Sequence, residues 1–512
     1  MEPPRVVDWQ NPEWVNFQRS RERWIEEFAS VTTKKVHLLR PAMTVTHQFS
    51  TVIANWRQAV PFSLVEASDY LSGDFYGENI QQSIICKIFH SLSRKKPFEF
   101  HTSKCLDLRD HVTIKTSQRL QTQTSLAPAH GSAFMFIDAI DPDGSLNPGV
   151  YQKIRSVFDK VITPYEPYLG GELCADVAVY FSEESRFDPS ENGINVAEAK
   201  SGRMPHLEAL TGACRALKEH HIPFTVIARR NLSQLSKFKV LVLSDVLSMD
   251  SEEVGAFRAF VLDGGSLYAS YRTATRDRDG NLTEDFLLAD ILGVSTRNEQ
   301  TPDLTFFTPM SREMKEFFYP QDHLIHPQRQ LVIENRSGQI IATQTLPYTD
   351  PERGEIFGKT FSSIHSNPPG KLSKDPAIVL HRAGKGRTCY VAGALEAVNQ
   401  EINKRVFANL VRMLMNRPAW FEVKTHPAVE VVLLHQPEEK RFLISLVKTA
   451  PLLVDAKVDA TVRLRLEEGA GRVKLIELPE KKEILFRRKE WFVEFDLKDF
   501  SGPLYMAMLD YA

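Results

Sequence analysis

The stretch over residues 130–148, HGSAFMFIDAIDPDGSLNP, constrains the fold most. Its apolar run AFMFI carries no charge and is bounded by Gly131 and by a cluster of Asp, Pro, Gly and Asn. A short uncharged run of this kind predicts a strand buried on both faces, as in a parallel sheet. Asp138, Asp141 and Asp143 follow in a turn, and residues 151–159 then repeat at helical spacing. Proteins with parallel sheets place their chemistry at the carboxyl ends of the strands. The acids after this strand are therefore candidates for function.

The chain upstream feeds the same sheet. Asn11 and Pro12 suit the N-cap and first position of a long helix, with an apolar stripe of Trp14, Phe17, Trp24, Ile25 and Phe28. Strands are predicted over 43–49, 70–76, 97–102 and 132–140, with helices over 79–93, near 114–126 and up to about 161. Four strand–helix units after a leading helix predict a parallel α/β architecture. Four units do not close an eight-stranded barrel. An open sheet, or the second half of a barrel whose first half is missing, both fit.

Residues 172–418 read as a second α/β domain. Strands are predicted over 176–181, 224–227, 240–244 and 266–270, and helices over 206–221, 252–262 and 399–416. Residues 377–380 and 388–391 predict a hairpin turning at Gly384-Lys-Gly-Arg387. From residue 419 helical periodicity stops. Runs over 429–434, 441–446, 462–466 and 491–495 predict a small antiparallel β-sandwich.

Composition narrows the function. A chain of 512 residues exceeds one core, so several domains are expected. The net charge is −2 and there is no dense Lys/Arg block, which argues against a nucleic-acid partner. No apolar run reaches the roughly 18 residues of a membrane span, and the first residues lack a signal h-region. No membrane partner and a cytoplasmic location are expected. The five cysteines are scattered without a C-x-x-C pair, which predicts neither a disulfide framework nor a zinc site, and suits a reducing compartment. No cofactor or metal is expected.

DYLSGDFYGE at 69–78 and GSAFMFIDAIDPDGSLNP at 131–148 resemble uncharacterised barrel hydrolases and the family 151 α-L-fucosidases. The order of a partial barrel, a flavodoxin-like domain and a small β domain resembles the family 42 β-galactosidases, whose middle domain is a trimerisation domain. HRAGKGRTCYVAG at 381–393 and VEVVLLHQPEEKRFLISLVK at 429–448 resemble the junction into their terminal β domain. The resemblance covers nearly the whole chain.

It implies a partial TIM barrel (strands five to eight) over 1–168, an amidotransferase-like trimerisation domain over 172–418 and a β-sandwich over 419–512. It implies a glycosidase that cleaves an oligosaccharide or glycoside through two carboxylates, without a cofactor, as a homo-oligomer, by resemblance a trimer. It also implies a shortfall. The β-galactosidases carry their general acid, and the fucosidases their nucleophile, on the fourth barrel strand, which this register lacks. The chain thus reads as a truncated hydrolase with Phe134 and Phe136 on an exposed inner face. The alternative is a non-catalytic sugar-binding or oligomer-assembly protein derived from such an enzyme.

Glycoside hydrolysis needs two carboxylates flanking the scissile bond. Asp74 ends its predicted strand beside Phe75, Tyr76 and Glu78; it fits a general acid, or a cap for the helix that follows. By resemblance Glu99 is the nearest counterpart of the nucleophile, and His101 points the same way, although alternation could turn both to the barrel wall. Asp138 and Asp141 fit sugar hydroxyls or a plain turn. His47 and Trp56 follow the first strand, where Trp56 either stacks on a sugar or fills a core. The second domain resembles class I glutamine amidotransferases in its order of elements. It has no Cys at the elbow after residues 266–270, and Cys174 and Cys214 read as packing thiols.

Overall fold

A computed structural model describes residues 3–53, 56–107, 109–199, 204–349, 367–466 and 471–512. Helix α1 (Pro12–Leu39) starts as its sequence dictates: the Asn11 side chain accepts from the Glu13 amide and Pro12 sits in the first turn. It buries Trp14, Val15, Gln18, Ala29 and Thr33. Trp24 and Phe28 instead face outward, 56% and 71% exposed, so the expected stripe does not lie on one buried face.

Three short strands follow, β1 (Ser72–Asp74), β2 (Glu99–Ser103) and β3 (Ala133–Ile137), hydrogen-bonded in chain order and all parallel. They alternate with α2 (Asn79–Leu92), α3 (Ser117–Ala129) and α4 (Pro148–Val161). The strand expected over 43–49 contracts to one parallel bridge between Gln48 and Ser72. An unpredicted hairpin, Cys105–Asp107 with Asp110–Ile114, follows β2. The register sets Ser72 beside Glu99 and Ala133, and Asp74 beside His101 and Met135. Residues in register on parallel strands share a face, and alternate residues change face.

Phe100 and Phe134 therefore share the helix-covered face, with ring centroids 5.9 Å apart. Phe134 and Phe136 both pack on Phe158 of α4, at 5.8 and 5.7 Å. Two expectations fall here. The run over 133–137 is not buried on both faces, since Met135 is 41% exposed. The open face carries Met135, not Phe134 and Phe136.

The second sheet starts with five parallel strands, β4 (Val177–Tyr180), β5 (Phe224–Ile227), β6 (Val240–Leu243), β7 (Ser266–Ser270) and β8 (Gly386–Val391). Their order is β5-β4-β6-β7-β8. Helices α5 (Pro205–Glu219) and α7 (Glu401–Leu414) share a core with Val177, Val179 and Val242. Helix α6 (Ser251–Leu262) packs with Ala178, Leu241 and Leu267 on the opposite face. Strand Pro369–Ala383 pairs antiparallel with β8 across Gly384, whose φ of +57° suits glycine at the expected hairpin turn. Gln339–Pro347, Thr305–Pro309 and Leu324–His326 extend that edge, an antiparallel addition not predicted from sequence.

The C-terminal region forms antiparallel sheets of four and six strands, which share a core of Val429, Leu433, Ile444, Val462, Phe495 and Ala507. Glu172–Leu173 pairs with Val429–Gln436, so the expected start of the second domain belongs to this terminal sheet. The other face of the six-stranded sheet, through Val432, Leu434, Leu443 and Val447, joins the largest core together with residues of α2, α3 and α5. One core thus runs through all three regions.

A buried charge cluster crosses the same seam. Lys87 of α2 contacts Glu430 Oε1 at 2.5 Å, and Ser83 donates to that oxygen at 2.5 Å. Lys87 also donates to His130 Nε2 at 2.9 Å, while His130 Nδ1 donates to Leu126 O at 2.8 Å. Burial first, then Lys87, pushes His130 down to about 3. Burial would raise Glu430, but the charge of Lys87 together with its cluster neighbours and the hydrogen bonds from Lys87 and Ser83 outweighs it and holds the carboxyl at about 2.

Candidate functional site

The open face of β1 and β2 is a row of polar side chains. Thr46 and Ser72 share a hydroxyl hydrogen bond of 3.0 Å at its base. Asp74 ends β1, where Gln48 from the bridging segment donates Nε2 to its carboxylate. Tyr76 donates to the same carboxylate; burial first, then this bond, pushes its phenol above the usual range. Asp74 is thus a half-buried acceptor held from two sides.

Glu99 and His101 lie two residues apart on β2 and face the same way. His101 Nε2 stands 3.2 Å from Glu99 Oε2, an ion-pair distance without the alignment of a hydrogen bond. His101 holds the Glu99 carboxyl below the usual carboxylate range, against the opposing effect of burial. In register His101 is also the neighbour of Asp74. The structure therefore brings together Asp74, Tyr76, Glu99 and His101, with both carboxylates on one face.

The other candidates lie elsewhere. His47 faces α1, where its Nε2 donates to Thr33 Oγ1 at 2.8 Å, and burial lowers its pKa. Trp56 is 6% exposed, packs edge-on to Trp9 and Trp14 within a buried cluster, and donates to Glu191 at 3.1 Å. Glu78 is the N-cap residue of α2, and its amide donates to Gln81 Oε1 at 3.1 Å. Asp141 closes its turn by accepting from the Gly144 amide at 2.8 Å. Asp138 pairs with Lys104 at 2.9 Å near the end of β3.

Gln48 and Lys104 were not singled out from the sequence. Gln48 is signalled only by alternation with Thr46 on a predicted strand. Lys104 carries no motif and is defined by its contact alone. The five cysteines are buried thiols. Among the described residues no group of three or more His, Cys, Asp or Glu is placed to hold a metal ion.

The fold is shared with glycoside hydrolases. The chain superposes on α-L-fucosidase isoenzyme 2 from Paenibacillus thiaminolyticus with a TM-score of 0.74 at 18% identity, over 95% of this chain and 71% of that one. The GH42 β-galactosidase Gan42B from G. stearothermophilus gives 0.72 at 16% identity, over 99% and 70%. The β-galactosidase from Bacillus circulans sp. alkalophilus gives 0.70 at 13% identity, over 96% and 67%. Residues 175–305 match the family model of the beta-galactosidase trimerisation domain. No curated protein matches the sequence. At these identities the structural likeness speaks for the fold.

Proposed function

We propose that the chain is a carbohydrate-active protein built as a glycosidase, acting on an α-L-fucoside or β-galactoside through Asp74 and Glu99. In this reading residues 1–168 are strands five to eight of a (β/α)8 barrel, 172–418 a flavodoxin-like trimerisation domain, and 419–512 a β-sandwich. The observation that carries it is the shared open face of Asp74, Tyr76, Glu99 and His101 on a sheet whose fold matches glycosidases.

The roles follow from electrostatics. Glu99 is held below the usual range by His101 and stays ionised, which suits a base or nucleophile. Asp74 takes the acid's place by its position at the end of β1, where Gln48 and Tyr76 fix its orientation. Asp138 and His101 would contact sugar hydroxyls. The parallel order β5-β4-β6-β7-β8 supports the flavodoxin-like reading. Its elbow residue is Tyr271, so no amidotransferase activity is expected of it. The match over 175–305 supports assembly through this domain as a trimer. Buried thiols support a cytoplasmic site, and among the described residues no helix is long and apolar enough to cross a membrane.

One observation favours the second reading, a non-catalytic sugar-binding or assembly protein. The row lies on the uncovered side of a three-stranded sheet, with Met135 exposed beside it. A site there lacks the enclosing walls of a closed active-site pocket.

Kinetics with aryl α-L-fucosides and aryl β-galactosides decide between them. On the glycosidase reading Asp74→Asn and Glu99→Gln each lower turnover by about 10²–10⁴-fold with unchanged thermal melts. Turnover near wild type in Asp74→Asn removes the proposed acid. Sugar binding without turnover in the parent chain selects the second reading.

A further inference from the structure

A second polar cavity, of about 620 Å³, opens beyond the C-terminal ends of β6 and β7. Doubly wound sheets bind ligands on this side, near the point where strand order reverses. In the order β5-β4-β6-β7-β8 the reversal falls between β4 and β6. Asp188 and Ser190 reach the cavity from the segment after β4, Asp245 from the turn after β6, and Tyr271 and Arg272 from the turn after β7.

The backbone there is strained and held. Asp245 and Tyr271 are non-glycine residues in the left-handed region, at φ +47° and +48°. The Tyr271 amide donates to Val391 O at 2.8 Å, and the Tyr390 hydroxyl donates to Tyr271 O at 2.6 Å. The Asp245 amide donates to Ser270 Oγ at 3.2 Å, and Ser270 in turn donates to the buried Glu396 carboxylate at 2.5 Å. Tyr268 donates to Glu396 as well, at 2.7 Å. Strain that the surroundings over-determine clusters at ligand sites.

We propose that this crevice binds a neutral mono- or disaccharide. The charge pattern argues against an anion. Arg272 already gives two N–H bonds to Asp245, at 2.8 and 3.3 Å, and Arg329 pairs with Asp303 at 2.7 Å. The lining holds four carboxylates, those of Asp188, Glu208, Asp245 and Asp303, against two guanidiniums. Carboxylates accept from sugar hydroxyls, while the Gln300 amide and the remaining Arg272 N–H groups can donate to them. The volume lies within the range of small-molecule sites. The inference goes beyond the glycosidase reading and does not depend on it, because Asp74 and Glu99 belong to another sheet.

Titration calorimetry on the 512-residue chain tests it, with lactose, D-galactose, L-fucose and inorganic phosphate as probes. Saturable binding of at least one sugar is expected. Asp188→Asn should weaken it about tenfold, the scale of a hydrogen bond to a charged group, and Gln300→Ala about fivefold, the scale of a neutral one. Asp188→Asn keeps the cap that Asp188 gives to Ser190, and Gln300 is exposed, so both variants should melt like the parent. Three outcomes overturn the proposal: no sugar bound, binding that survives both crevice substitutions, or phosphate bound more tightly than every sugar.

Discussion

The two parallel sheets of this protein are written in similar letters and end in different environments. The first carries AFMFI in β3, and the second carries VAVY in β4 and VLVL in β6. Both read as strands buried on two faces. In the second sheet every residue of β4 and β6 is buried, because helices cover both sides. In β3 no residue is fully buried, because the strand lies at the sheet edge, and Met135 is exposed on the face that no helix covers. An apolar run reports that a segment is a strand. It does not report how many of its faces other parts of the chain will cover. The uncovered face is where the first sheet places Asp74, Glu99 and His101.

The largest effect is expected where the regions join. Glu430→Ala leaves Lys87 buried without its carboxylate, and should cost about 3–5 kcal/mol in urea unfolding. A loss below about 1 kcal/mol would mean that the terminal sheet does not hold α2 through this pair.

The contrast between the sheets is sharpened by one pair of truncations. Leu241→Ala, in a fully buried β6, should cost about 2–5 kcal/mol. Met135→Ala, the same kind of change on β3, should stay within about 1 kcal/mol. Equal costs would show that the open face of β3 is covered in solution, by a second copy or another partner.

A smaller effect separates the seam from the open face by pH. His130 is lowered to about 3, so the folded chain keeps it neutral while an unfolded chain protonates it near 6.5. The unfolded state therefore binds more protons between these values, and stability falls as pH drops below about 6.5. Glu430, at about 2, adds a loss as pH falls below the ordinary carboxylate value near 4.5. His130→Gln should reduce the slope of stability against pH between 6 and 5 by about one proton. Glu99, also depressed, should act only below the carboxylate range, so Glu99→Gln should leave that slope alone. A slope unchanged in His130→Gln would remove it from the acid response.

Much of the fold was legible because it rests on local rules. Asn11-Pro12 set the start of α1, the acids and Gly around 141–144 set a turn, and Gly384 set a hairpin. Each is fixed by a few neighbouring dihedrals and hydrogen bonds. Strand identity in β4 to β7 was equally local, through short apolar runs between turn residues. As candidates, Asp74 was marked by its place at the end of a predicted strand and Glu99 by the family resemblance.

Tertiary structure decided the rest, because it depends on what lies across a gap in sequence. Register made His101 the neighbour of Asp74, and a bridging segment brought in Gln48. Contact with α1 removed His47 from the site, and an aromatic cluster took Trp56 into a core. Lys87, His130 and Glu430 are separated by up to 343 positions and carry no shared motif; only packing of the terminal sheet against α2 and α3 brings them together. Hydrogen bonds and ion pairs act over a few ångströms in space, and a chain records distance only along its own length.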